Sequence, residues 1–255
     1  MSKSPEPKQE FSKLRQALFP IHNEEFKKFL PIAFIMLCIL FNYTVLRNTK
    51  DALIGTAAGA GVEAIPYLKS IFVMSSAIAF VVMYTKLSNM FSAERLFYIL
   101  TAAFLLFFGA FAVVIYPNID ILHPNIQSVE ALQAEYPRVK FLFSVWAVWT
   151  YSLFYVMSEL WGSVMISLLF WAFCNEIVRS NEAKRFYPMF VLIGNIALIF
   201  SGTAVKTLSD IRESLPADVD AWGVSLDYLM GMVVIIGVAC MFTYRWMHKN
   251  VLTDP

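Results

Sequence analysis

Between Leu30 and Trp246 the sequence is built mainly from apolar runs of about 18 residues or more, the length at which a helix crosses roughly 30 Å of hydrocarbon. That feature sets the solvent before any other. Charged residues make up 15% of the chain and hydrophobic residues 58%, whereas a soluble domain carries about a quarter charged. The expected fold is an all-α membrane protein with six transmembrane helices, at roughly 30–48, 65–86, 96–117, 141–178, 186–206 and 226–246. Cys38, Cys174 and Cys240 lie in three different runs. An odd number of cysteines at such depths argues against disulfides and CxxC chemistry and for small buried apolar residues.

The fourth run is too long for one simple crossing. As a continuous helix, 141–178 would reach about 57 Å. With one crossing there and the N-terminus inside, thirteen of the twenty Lys and Arg fall in the inner segments 1–29, 86–95, 179–185 and 245–255. That is the positive-inside pattern. Two crossings would move the Arg179–Arg185 cluster outside, and Gly162 alone makes no turn. One long helix, tilted or projecting from the membrane, is therefore expected. The chain then divides into a cytoplasmic tail (1–29), a six-helix half-domain (30–246) and the start of a cytoplasmic linker (247–255). The tail lacks the apolar core and cleavage site of a signal peptide, and a short amphipathic helix is expected along Phe19–Phe29. In the outer loop, IQSVEALQAEYP predicts a surface helix that Pro137 ends.

Charges inside the runs are costly and usually face a cavity or a partner. Glu159 stands mid-span in YVMSELWGSVMIS, Lys69 lies about one turn inside the second span, and Arg47, Lys50 and Asp51 follow the first. Each also has a plainer reading. Glu159 can be a structural carboxylate paired with a buried Lys or hydroxyl. Lys69 can snorkel to the surface. Arg47 and Lys50, on one helix face at i, i+3, can be solvated, with Asp51 holding Lys50. Ser158, Gly162, Ser163 and Ser167 read first as a packing seam. Trp146, Trp149, Tyr151 and Tyr155 precede Glu159 and either pack or stack on a base. HExxH, GxSxG and the GxxxxGK[ST] phosphate loop are missing. No catalytic residue, metal or cofactor is expected, and a net charge of +1 gives no reason to invoke nucleic acid.

LFNYTVLRNTKDALI, IPYLKSIF, YTKLSN, FYVMSELWGSVMISLLFW, NEAKRFYPMFVLIGNIALIFSG and YRWMHKNVLTD resemble the nucleotide transporters of plastids and obligate intracellular bacteria, the ATP/ADP translocases. The resemblance runs from about Lys28 to the last residue. It implies one half of a twelve-helix transporter of the major facilitator fold, exchanging ATP for ADP without hydrolysis. It implies required roles for Lys69, in PYLKS, and Glu159, in SELWG. The candidate substrate-binding set is Lys69, Glu159, Lys50, Arg47, Asp51, Tyr155 and Asn195. The partners implied are ATP and ADP, the lipid bilayer, and a C-terminal half or a second polypeptide. The expected location is a bacterial inner membrane with both termini cytoplasmic. Other nucleotides, NAD or phosphorylated anions remain alternative cargoes, as does a non-transporting scaffold.

Overall fold

The computed structural model describes residues 19–252 apart from Ala217, and the side chains of Arg212 and Glu213 are not described. Most of the tail (1–18) and the last three residues of the linker lie outside the described residues. Six helices are long and apolar enough to cross a membrane. They are α1 (Asn23–Thr56), α2 (Val62–Met90), α3 (Ala93–Leu122), α6 (Trp149–Ile177), α7 (Ser180–Ser214) and α8 (Ala221–Asn250). Two short helices, α4 (Ile126–Glu135) and α5 (Lys140–Ala147), lie between α3 and α6. Five of the six spans are longer than their apolar runs, because the polar ends continue the helix; α6 is shorter than its run. Ser92 and Asp220 start α3 and α8 as N-caps, each accepting a backbone N–H at the third position of its helix, from Arg95 (3.4 Å) and Gly223 (3.0 Å).

Two expectations need correction. The run 141–178 is not one helix. It breaks at Val148 (φ −123°, ψ 43°) into α5 and α6. The Ser152 hydroxyl donates to the Val145 carbonyl across the break at 3.0 Å, so the freed acceptor is satisfied locally. Since only α6 has the length of a span, the segment still holds a single candidate crossing. Nor is there a separate helix along Phe19–Phe29. Asn23–Glu25 forms a 3₁₀ turn that runs directly into the α-helix from Phe26. The surface helix is present as α4, and the chain leaves it before Pro137.

α1 is the central element. It packs chiefly on α7, α8 and α6. In its most apolar window 67% of residues are buried, against 6% for α2, which lies at the edge. The Asn42 amide donates to the Val233 carbonyl of α8 at 2.9 Å, and the Trp161 indole of α6 donates to the Ile39 carbonyl at 3.2 Å. Gly162 lets α6 approach, since a Cβ there would lie 2.6 Å from the Tyr43 ring. All three cysteines are buried and free. The backbone widens to π-helix at Leu68–Val73, Phe111–Ile115 and Gly162–Phe170. Such windings are rare and gather at functional sites. The first contains Lys69, and the last begins just after Glu159.

Candidate functional site

The two π-helical stretches lead to one constellation between α1, α2 and α6. α1 does not end at 48. Because it continues to Thr56, Arg47, Lys50 and Asp51 all sit on its last three turns. Lys50 turns inward and is 2% exposed, whereas Arg47 is exposed and Asp51 is 45% exposed. The expected shared face of Arg47 and Lys50 is thus split: Arg47 shares the open face with Asp51, one turn on, and Lys50 is buried. Solvation is thus ruled out for Lys50, which Asp51 holds as expected, while Arg47 and Lys69 are open.

The buried ammonium is fully engaged. Lys50 Nζ donates to Asp51 Oδ1 at 2.6 Å and pairs with Glu159 Oε1 at 3.1 Å. It also lies 3.8 Å from the centroid of the Tyr155 ring, the geometry of a cation–π contact. Tyr155 itself is fully buried, so its expected contact with substrate gives way to contact with Lys50. Its hydroxyl has no hydrogen-bond partner among the described residues, and the exposed Lys69 ammonium lies within electrostatic reach of it. Lys69 and Arg47 form no ion pair among the described residues. Five sequence-predicted residues (Lys50, Asp51, Glu159, Tyr155 and Lys69) therefore meet, and Arg47 lies beside them on the rim.

Asn195 stands apart. It is exposed on α7, and its amide donates to the Val191 carbonyl of its own helix at 3.1 Å. The small-residue stripe divides in two. Ser158 and Gly162 are buried in the α1–α6 seam, while Ser163 and Ser167 continue an exposed polar line from Glu159, which is 24% exposed. Trp146 and Trp149 are exposed, and the Trp149 indole is spent on the Leu122 carbonyl at 2.8 Å. One turn outward, Leu53, Thr56, Tyr116, His123, Tyr151 and Trp222 line a cleft of about 290 Å³. Sequence reasoning left out His123, whose ring pairs with Thr150 Oγ1 at 2.6 Å.

A second ionic cluster, also missed, lies at the opposite end. Arg185 on α7 forks onto both Glu25 carboxylate oxygens, one at 2.6 Å, and donates to the Pro20 carbonyl at 2.8 Å. Lys28 pairs with Glu182 at 2.7 Å, and Glu182 also accepts the Arg179 backbone N–H at 3.0 Å. The NEAKRF segment was noted only as part of a motif. Its partners, Glu25 and Lys28, lie more than 150 residues away in sequence.

Comparison with known proteins gives this geometry a context. A family model described as "TLC ATP/ADP transporter" matches residues 4–255. The ADP,ATP carrier protein 1 of Chlamydia pneumoniae is 50% identical over 246 residues, covering 96% of this chain and 48% of that protein. The chloroplastic ADP,ATP carrier protein 2 of Arabidopsis thaliana is 45% identical, covering 92% of this chain and 38% of the relative. ADP,ATP carrier protein 1 of Rickettsia bellii is 43% identical, covering 96% and 48%. The chain thus spans about half the length of the bacterial relatives it matches. No solved structure matches it.

Proposed function

The chain belongs to the TLC ATP/ADP transporter family, and from that premise we propose that it forms the first six-helix half of a twelve-helix carrier of the major facilitator architecture, exchanging ATP for ADP across a membrane without hydrolysis. The relatives' names supply the cargo, and their double length supplies the second half. The second half, or a second polypeptide in its place, closes a central cavity over the α1–α6 face. The positive-inside distribution puts both ends of the half-domain in the cytoplasm, and the membrane is a bacterial inner membrane.

One observation carries the reading. Arg47 and Lys69 are exposed, and Asp51 half-exposed, on spans whose surroundings are hydrocarbon. Lipid is a poor neighbour for such groups, so this face meets water, a ligand or protein. Two unpaired cations beside a buried third suit a polyphosphate. Arg47 and Lys69 receive phosphate oxygens, and low local dielectric strengthens each contact. The same unpaired charge makes the empty cavity costly to reorient. Bound nucleotide neutralises it and lets the halves rock, which makes exchange obligatory.

The test is uptake of labelled ATP by intact cells expressing the complete native reading frame, followed by a chase with unlabelled ADP. Uptake that ADP reverses, and that both Lys69→Ala and Glu159→Gln abolish with protein still in the membrane, is the expected result. Uptake unchanged by either substitution would overturn the site. Wild-type protein present without ATP uptake would overturn the cargo.

A further inference from the structure

The nucleotide reading leaves Lys50 unexplained: it is the best-buried cation of the site, and it already holds two carboxylates. We propose that Asp51 and Tyr155 are positioning residues that keep the Lys50 ammonium in reserve beneath the binding face, to be drawn from Glu159 to the phosphate of an arriving nucleotide. The proposal rests on the exchange reading and deepens it.

An ammonium has three donors. Here two meet the carboxylates of Asp51 and Glu159, and the third side of the group lies over the Tyr155 ring. Lys50 is therefore saturated without ligand, in contrast to Arg47 and Lys69. Its two carboxylates are not equivalent. Asp51 is its sequence neighbour on α1 and moves with it. Glu159 is on α6, so the Lys50–Glu159 pair is a tie between two helices. It is also the longer contact, 3.1 Å against 2.6 Å, and Glu159 is partly open to the surface. A polyphosphate settling on Arg47 and Lys69 repels Glu159 and attracts Lys50. Losing Glu159 leaves Lys50 still paired with Asp51, so the exchange of partners never strands a bare buried charge, a state that is strongly destabilising.

Tyr155 is acted on by both ammonium groups. Its ring carries Lys50 at 3.8 Å from the centroid, and the charge of Lys69 on α2 reaches its hydroxyl. The ring thus supports Lys50 electrostatically as well as by packing. A leucine here would fill space but offer no electrostatic support.

Two readouts separate this proposal from the exchange reading. The first is amine-reactive labelling of the complete protein in native membranes, read at Lys50 and Lys69 by mass spectrometry. Lys69 is expected to label and Lys50 to be protected. Glu159→Gln and Tyr155→Leu should raise Lys50 labelling clearly above its wild-type level, though below that of Lys69, while Tyr155→Phe, which keeps the ring, should not. Lys50 labelling equal to Lys69 in the wild type, or unchanged protection in Tyr155→Leu, would overturn the reserve. The second is kinetic. Asp51→Asn, at a half-exposed site that tolerates an isosteric change, leaves Glu159 as the only anion on Lys50 and tightens the tie. The KM for ATP should rise roughly fivefold or more, the scale of a typical coupling energy, with the maximal rate changed less. An unchanged KM in a transporting protein would overturn the hand-over. Wild-type protein that shows the labelling pattern but carries no ATP would overturn the exchange reading and the hand-over to nucleotide, while the positioning of Lys50 would stand.

Discussion

The protein carries two ionic clusters, one at each end of α1, and they are built on opposite principles. At the N-terminal end, the inner one in the proposed topology, the charges are matched and geometrically locked. Glu25 holds Arg185 through a two-pronged contact, Lys28 holds Glu182, and backbone groups of Pro20, His22 and Arg179 take up further lone pairs and donors. At the outer end the cluster is unequal. Lys50 has two carboxylates, while Arg47 and Lys69 have none among the described residues. A satisfied network rigidifies, and an unsatisfied one is poised to accept a partner. The contrast assigns the inner cluster to holding α1 against α7, and it leaves the outer cluster with the open cations that, in the function proposed above, meet an anion.

Breaking the inner clamp should cost the most stability. Arg185→Ala leaves Glu25, 9% exposed, without its counter-charge. Removing one partner of a buried pair costs about 3–5 kcal/mol, and partial water access to Arg185 puts the expected loss near the lower end. A clear fall in the thermal midpoint of the detergent-solubilised protein would show it. The swap Glu25→Arg with Arg185→Glu should recover only part, because Glu25 also accepts the His22 backbone N–H at 2.9 Å. An undiminished midpoint in Arg185→Ala would make the inner cluster as dispensable as a surface pair.

The seam between the clusters comes next. Gly162→Ala puts a methyl 2.6 Å from the Tyr43 ring, so either the ring or α6 must move. Overpacking of this kind costs about 1–3 kcal/mol. Because Glu159 lies one turn away, the same shift should lengthen its contact with Lys50. Tyr43→Val, combined with Gly162→Ala, should restore both the midpoint and Lys50 protection from labelling. Failure of the rescue would place the strain elsewhere.

These two regions also differ in how legible they were. The six spans were plain, because apolar runs of hydrocarbon length leave few alternatives. Glu159 and Lys69 stood out as charges where charge is costly. The break at Val148 was hidden inside VWAVWT, an unbroken apolar stretch, since its compensation comes from the hydroxyl of Ser152 four residues on. The polar NTKD segment looked like the end of α1, yet Lys50 is met by Asp51 and by Glu159 of α6, and the helix runs on to Thr56. The pairing of Lys50 with Glu159, and of Arg185 with Glu25, joins residues more than 100 positions apart, and a single sequence has no periodicity that reports such a contact. Asn195 shows the converse: it sits in a motif, but its amide is occupied by its own helix.

A smaller effect is expected from the peripheral pair of the inner cluster. Lys28→Met removes the ammonium from Glu182, both groups being partly open to water. Lys28 makes a single contact where Arg185 makes a fork, and Glu182 keeps the Arg179 backbone N–H, so the midpoint should fall less than in Arg185→Ala. An equal fall would mean that the four charges act as one network, and the double variant would then be less than additive.

The smallest effect separates the two ends by pH. His123, just beyond α3, has its pKa lowered by burial, with the Asp120 charge opposing part of that shift. Its ring pairs with Thr150 Oγ1 on α6. The folded protein therefore binds a proton at His123 less readily than the unfolded chain, whose imidazole titrates near 6.5. The stabilisation is complete above that value and declines as pH falls through it toward the folded value. Arg185 keeps its charge throughout this range, so the arginine of the inner clamp contributes no slope of its own. Between pH 7 and 5 the wild-type midpoint should decline, and His123→Gln should make the decline shallower while leaving the effect of Arg185→Ala unchanged. A slope that survives His123→Gln would remove His123 as its source.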